Sequence, residues 1–187
     1  LSSEKTFGRT TELFAFQLFD LQDDVDVVSI GKMSQVCATL YRKHLTPKPG
    51  LISQTFTSST TAIEAANIIL TKLASNDYFG SDGKIAQLHT YFINKLQDLA
   101  KKYPADISGF RGVGSMIAFK LFDGNREESL LFIKTCYKNG LILFIAGNKP
   151  TYIRFLLPVG ATNCNHIDEA IAIIEQSLGI IKEGASI

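Results

Sequence analysis

Residues 26–37 read DVVSIGKMSQVC: a short apolar run, a glycine, a single lysine and, four residues later, the start of a second apolar run. The first run, residues 27–30, is rich in β-branched side chains and predicts a buried strand. Gly31 lets the backbone turn, so we expect Lys32 at the carboxyl end of that strand, where open α/β sheets bind ligands. Residues 36–41 predict a second strand directly after the turn.

The Lys32 amine has two interpretations, and the spacing of the residues leaves both open. Surrounded by apolar neighbours, the amine would lose enough hydration to shed its proton and attack a carbonyl carbon. An exposed lysine in a tight turn would show the same spacing, and most lysines lie on the surface. The periodicity of the apolar residues does not separate these alternatives.

The composition of the chain argues against several kinds of binding partner. The chain has 187 residues, enough for one well-packed domain or two small ones, and a net charge of +1. It contains no basic cluster, which argues against nucleic acid and anionic membranes as partners. No apolar run approaches the ~20 residues of a membrane span, and no signal-peptide pattern opens the chain. Cys37, Cys136 and Cys164 are far apart and odd in number, which favours reduced thiols in a cytoplasm.

A run of hydroxyl residues, 53–61, leads into a helix that we predict to continue to about residue 75. Thr61 and Glu64 have the spacing of a capping box. A hydroxyl-rich helix entry offers backbone N–H groups and side-chain donors to a phosphate. Ordinary N-capping accounts for the same residues, so a phosphate site is only one of two interpretations.

Residues 76–82 interrupt the pattern, and we place a domain boundary after residue 76. Beyond it the pattern is helix–strand–strand–helix–strand–strand–helix, which predicts a compact α/β sandwich. The predicted helices are 82–103, 127–138 and a last helix capped by Asn165; the predicted strands are 107–111, 115–122, 141–146 and 152–157. The first of these helices carries an apolar stripe made of Ile85, Leu88, Phe92, Leu96 and Leu99.

Arg154 lies inside an apolar strand, where an unpaired charge is costly. Two interpretations remain open from the residues alone. Arg154 forms a structural salt bridge, or its guanidinium holds a carboxylate ligand with two parallel hydrogen bonds.

Several motifs together resemble the class III aminotransferases that use pyridoxal phosphate. They are FGRT at 7–10, DVVSIGK at 26–32, TF at 55–56, RGVGSM at 111–116 and RF at 154–155. The continuation KMSQVC at 32–37 looks most similar to the lysine 6-aminotransferase branch, with the 4-aminobutyrate aminotransferases nearby.

The resemblance implies an α/β fold and a set of site residues. Residues 1–76 would be the end of the large, cofactor-binding domain of a fold-type-I aminotransferase, and 77–187 its C-terminal small α/β domain. Lys32 would carry pyridoxal phosphate and act in catalysis, Thr55 would bind the cofactor phosphate of a neighbouring subunit, and Arg154 would hold a substrate carboxylate. The implied enzyme is a cytoplasmic homodimer that acts on an amino acid and a 2-oxo acid without a metal.

The sequence also departs from the family. Its members are more than twice as long, so we expect a C-terminal fragment or a truncated product that is inactive by itself. The positions of the family's Asp-Glu-x-Gln segment hold Leu1, Ser2 and Glu4, which match none of it. The chain is therefore either part of an aminotransferase that moves the terminal amino group of lysine or a similar ω-amino acid to a 2-oxo acid, or a degenerate, non-catalytic relative that serves as a folded interaction or dimerisation module.

Overall fold

The computed structural model describes residues 7–51, 59–75 and 77–184. The chain divides into two compact units, Leu1–Ala86 and Gln87–Ile187, which we call unit 1 and unit 2. The predicted domain boundary after residue 76 stays a prediction. Among the described residues, no helix has the length and apolar character needed to cross a membrane.

Unit 1 contains a two-stranded antiparallel sheet and a helix. Strands β1 (Val27–Ile30) and β2 (Ala38–Tyr41) pair with Val28 opposite Leu40, and helix α1 spans Thr60–Ala74. Both strands lie where the sequence predicted them, although the described partner of β1 is antiparallel and forms no open parallel sheet with it. The Ser59 side chain accepts the Ala62 N–H and caps α1, so the prediction of Thr61 as the cap was wrong.

A small apolar core holds unit 1 together. Its buried members are Phe7, Val28, Ile30 and Leu73, with Met33 and several aromatic rings packed around them. The phenylalanine-rich stretch before β1 contains a 3₁₀ segment, Ala15–Phe19, in which Phe19 is 67% exposed. Two shorter 3₁₀ turns, Lys32–Ser34 and Lys43–Leu45, complete the unit.

Unit 2 is built on a four-stranded antiparallel sheet of order β3-β4-β6-β5. Its helices and strands follow one another in the predicted order. The strands are β3 (Ile107–Val113), β4 (Met116–Leu121), β5 (Phe144–Ala146) and β6 (Tyr152–Leu156); the helices are α2 (Lys84–Lys102), α3 (Arg126–Lys138) and α4 (Cys164–Lys182). One face of the sheet packs on the helices, because inward side chains such as Ile117, Ile153 and Phe155 share a core with Phe92, Phe132 and Ile174.

Asparagine side chains cap the first turns of α3 and α4. Asn125 accepts the N–H groups of Glu127 and Glu128 at the start of α3. Asn163, and not the predicted Asn165, caps α4: its side chain accepts the His166 N–H at 3.1 Å, and His166 Nδ1 accepts the Asn163 N–H. The last helix therefore begins two residues earlier than the sequence indicated.

Candidate functional site

Lys32 follows the carboxyl end of β1 in an unusual backbone conformation. Gly31 is extended, and Lys32 has a φ of +60°, in the left-handed region that few residues other than glycine adopt. The Lys32 carbonyl accepts two hydrogen bonds from Gln35, one from its backbone N–H at 3.0 Å and one from its side-chain amide at 3.2 Å. Backbone strain of this kind concentrates at functional sites.

Packing and hydrogen bonds of the residues that follow Lys32 hold this turn in place. Met33 packs into the core of unit 1, and Ser34 is fully buried with its hydroxyl donating to the Val36 carbonyl at 2.6 Å. Gly8, at φ +61°, lies so close that a Cβ there would overlap Met33 Cε. The FGRT motif and the lysine turn, which are far apart in sequence, are therefore packed against each other.

The Lys32 side chain itself is exposed within unit 1. The described residues therefore do not supply the apolar burial that the sequence interpretation invoked to activate the amine. An exposed lysine side chain on a fixed turn nevertheless fits the aldehyde group of a carbonyl cofactor, because reaction requires that the nitrogen can reach the carbon.

Arg154 lies in the middle of β6, on the face of the sheet that points away from the helices. Its strand neighbours Ile153 and Phe155 are buried in the core, whereas Arg154 is half-buried, with its Cζ 5.7 Å from the centroid of the Phe144 ring. Its Nε is buried and has no hydrogen-bond partner among the described residues. The structural salt bridge that the sequence allowed is not formed in that part of the chain.

The buried, unpartnered Nε of Arg154 is a reason to expect that this side chain binds a carboxylate. Leaving a buried N–H without an acceptor costs about 1–3 kcal/mol, and a carboxylate placed against the guanidinium edge would remove that cost. Lys32 lies in unit 1 and Arg154 lies in unit 2. Thr55 and the positions of Leu1, Ser2 and Glu4 lie outside the described residues.

The other reactive side chains that the structure describes are cysteines and an ion pair between two helices of unit 2. Burial raises the pKa of the Cys136 thiol to about 11, so it is a poor nucleophile, while Cys37 and Cys164 are exposed. Hydrogen bonds from Lys95 and Tyr91 hold the pKa of Asp168 below its ordinary value and tie α2 to α4. Within residues 7–51, 59–75 and 77–184, no three His, Cys, Asp or Glu side chains come together to hold a metal ion.

Comparison with known proteins gives one family. The family model described as aminotransferase class-III matches residues 5–178. Among curated proteins, the chain is 26% identical over 175 residues to the succinylornithine transaminase of Photorhabdus laumondii. It is also 26% identical over 182 residues to the L-lysine-epsilon aminotransferase of Mycobacterium tuberculosis.

These alignments cover 91% and 93% of the chain but 42% and 38% of the relatives, so the chain spans about two fifths of their length. Among solved structures, the lysine aminotransferase from M. tuberculosis superposes with a TM-score of 0.80 and 24% identity, over 96% of this chain and 41% of that one. This likeness confirms the predicted fold class, a portion of a fold-type-I aminotransferase.

Proposed function

The chain belongs to the class-III aminotransferase family, whose members depend on pyridoxal phosphate, and we propose that it supplies the cofactor lysine and the C-terminal domain of an ω-amino-acid aminotransferase. The amino donor would be lysine or a similar ω-amino acid, and the acceptor a 2-oxo acid. Relatives named for lysine, acetylornithine and succinylornithine support this class of donor without separating its members.

The observation that carries the proposal is the Lys32 turn. When bound, pyridoxal phosphate supplies an aldehyde carbon and an electron-withdrawing ring. Lys32 would hold the group through its amine; its side chain is exposed, and Met33, Ser34 and Gln35 hold its backbone in place. The same nitrogen would also serve as the base that takes and returns a proton at the amino-bearing carbon of the substrate.

The remaining roles follow the family pattern. Arg154 would orient a substrate carboxylate, which its unpartnered Nε and half-buried guanidinium support. Thr55 would bind the cofactor phosphate of a second copy, which makes the working enzyme a homodimer. We assign it to the cytoplasm because its three cysteines suit a reducing compartment.

A non-catalytic role is the second candidate, and one observation favours it. The acidic segment that would hold the pyridine nitrogen in its protonated form is replaced by Leu1, Ser2 and Glu4. Without that carboxylate the electron sink is weak, and the chain would serve as a folded interaction or dimerisation module.

Chemical trapping of the lysine tests the proposal. We would incubate the full chain with pyridoxal phosphate, reduce with borohydride and map the modified peptides, comparing Lys32→Ala with Lys43→Ala. Lys43 is also exposed in unit 1, in the 3₁₀ turn after β2, and is the matched control. We expect one adduct, on Lys32, which Lys32→Ala abolishes and Lys43→Ala retains. Adducts scattered over many surface lysines, or none, would reject the enzymatic role of this chain and favour the non-catalytic one.

A further inference from the structure

The solvent-facing side of α3 in unit 2 forms one wall of an apolar groove, which we call the α3 groove. Leu131, Tyr137 and Ile142 line it, and all three are exposed, Tyr137 by 68% and Ile142 by 67%. The hollow between them has a volume of about 570 Å³. Single exposed apolar side chains are ordinary, whereas several around one hollow indicate a surface where another molecule binds.

The α3 groove is also cationic. Lys134 and Lys138 line it, one helical turn apart on the exposed side of α3. Among the described residues, no carboxylate lines the groove or forms an ion pair with either lysine. An occupant that fits this groove therefore combines apolar side chains with carboxylates.

The chain itself carries a segment of that chemistry in unit 1. Residues 19–24 read FDLQDD, and all six side chains are exposed; we call this segment the acidic loop. Phe19 and Leu21 are apolar side chains left in water, and the segment has three carboxylates and no basic residue. In the part of the chain that the structure describes, none of these carboxylates forms an ion pair.

The backbone of the acidic loop is fixed before any partner binds. The Arg42 guanidinium donates to the Gln22 carbonyl at 2.9 Å and to the Asp23 carbonyl at 2.7 Å. The Leu21 N–H donates to the Phe16 carbonyl at 3.1 Å, which closes the turn after the 3₁₀ segment. A loop held in this way loses little conformational freedom when it binds, so more of the contact energy appears as affinity.

We propose that the acidic loop of one copy of this chain binds in the α3 groove of a second copy. The two apolar side chains of the loop enter the hollow, and its carboxylates pair with Lys134 and Lys138. Both surfaces are exposed in a single copy, so we assign the contact to two copies. It joins two different surfaces, which makes it a heterologous, head-to-tail contact. One loop in one groove is a small interface, so the association is weak and requires a high protein concentration.

Sedimentation velocity of the full chain over a range of concentrations tests this by reversing charges. We expect the average mass of the unchanged chain to rise with concentration. Lys134→Glu combined with Lys138→Glu should weaken self-association at least tenfold. Asp23→Lys combined with Asp24→Lys should weaken it to the same extent. A chain with all four substitutions, in which loop and groove have exchanged their charges, should recover the association at the original net charge of +1.

Two further variants complete the design. Lys72→Glu combined with Lys149→Glu is the matched control, because both lysines are exposed, lie outside the two surfaces and change the net charge by the same amount. It should alter self-association less than twofold. Ile142→Ser removes an exposed apolar side chain from the groove without changing the charge, and it should weaken self-association as well. Circular dichroism of each variant checks that the fold is intact.

Several outcomes would overturn the inference. A mass that does not change with concentration would reject a second copy as the occupant of the groove. Loss of association from the groove substitutions alone would show that a different segment binds there. An equal effect of the control pair, or no recovery in the chain with four substitutions, would indicate diffuse charge instead of a site. The inference does not rest on the proposed function, because none of these substitutions involves Lys32, and borohydride trapping tests that function separately.

Discussion

At the scale of single residues, the conformation of Lys32 depends on its neighbours more than on its own preference. A lysine in the left-handed region costs about 1–2 kcal/mol relative to the right-handed one. Packing of Met33 against the core and burial of Ser34, together with the Gln35 hydrogen bonds, impose that conformation. The exposed Lys32 side chain is thus positioned through its backbone by the packing of its neighbours.

Gly8 is the residue whose replacement should disturb this packing. Gly8→Ala combines a positive φ with an overlap against Met33 Cε, whereas Gly50→Ala meets a similar φ of +79° in open space. We expect Gly8→Ala to lower the free energy of unfolding by about 1 kcal/mol more than Gly50→Ala, because Met33 must shift within a packed core. Urea unfolding followed by circular dichroism measures both. Equal losses would show that the overlap is relieved without cost.

The sequence predicted the position of Lys32 but not its conformation. A β-branched run followed by glycine indicates a strand and a turn from local preferences alone. The left-handed φ and the orphaned Arg154 Nε arise from tertiary packing, which no local pattern encodes. The face of the sheet on which Arg111 lies depends on the register shift in β3, which the sequence pattern does not predict.

At the scale of elements, long periodic patterns were predicted better than the starts of helices. The five apolar residues of the α2 stripe are all buried, as a period of 3.6 requires. The hydroxyl run before α1 offers several equivalent caps, so its sequence could not select Ser59 over Thr61.

Substitutions at the start of α4 test which asparagine caps the helix. Asn163→Ala removes a side chain that accepts the His166 N–H, and we expect it to destabilise the protein by about 1 kcal/mol. Asn165 lies exposed inside the first turn, so Asn165→Ala should be neutral or slightly stabilising, since alanine is the better helix former. Thermal unfolding of both variants measures the difference. A larger loss for Asn165→Ala would restore the predicted start and contradict the observed cap.

At the scale of the whole molecule, unit 2 has a core of its own. Every buried residue of that core lies between Leu88 and Leu178, and α2 contributes Leu88, Phe92, Leu96 and Leu99. A domain of about 100 residues with one continuous core is large enough to fold independently. The fold class of the whole chain was predicted from family resemblance, whereas the roles implied for Thr55 and a second subunit stay predictions.

We therefore expect residues 77–187 to fold without the rest of the chain, and residues 103–187, which lack α2, to fail. The first fragment retains every buried core residue, while the second exposes the apolar surface that α2 covers. Thermal melts by circular dichroism, with amide dispersion by NMR, measure the outcome. A cooperative transition in the shorter fragment, or none in the longer one, would contradict a self-contained core.

Strand β3 contains a β-bulge between Ser108 and Arg111, where two residues lie opposite the single residue Phe119 of β4. Deleting one of these two residues would restore regular pairing and keep Arg111 opposite Ala118, on the face of the sheet that points away from the helices. Deleting both would place Arg111 opposite Phe119, which is fully buried, and would turn the guanidinium toward the core. Shortening of β3 at this point should therefore be tolerated for one residue and not for two.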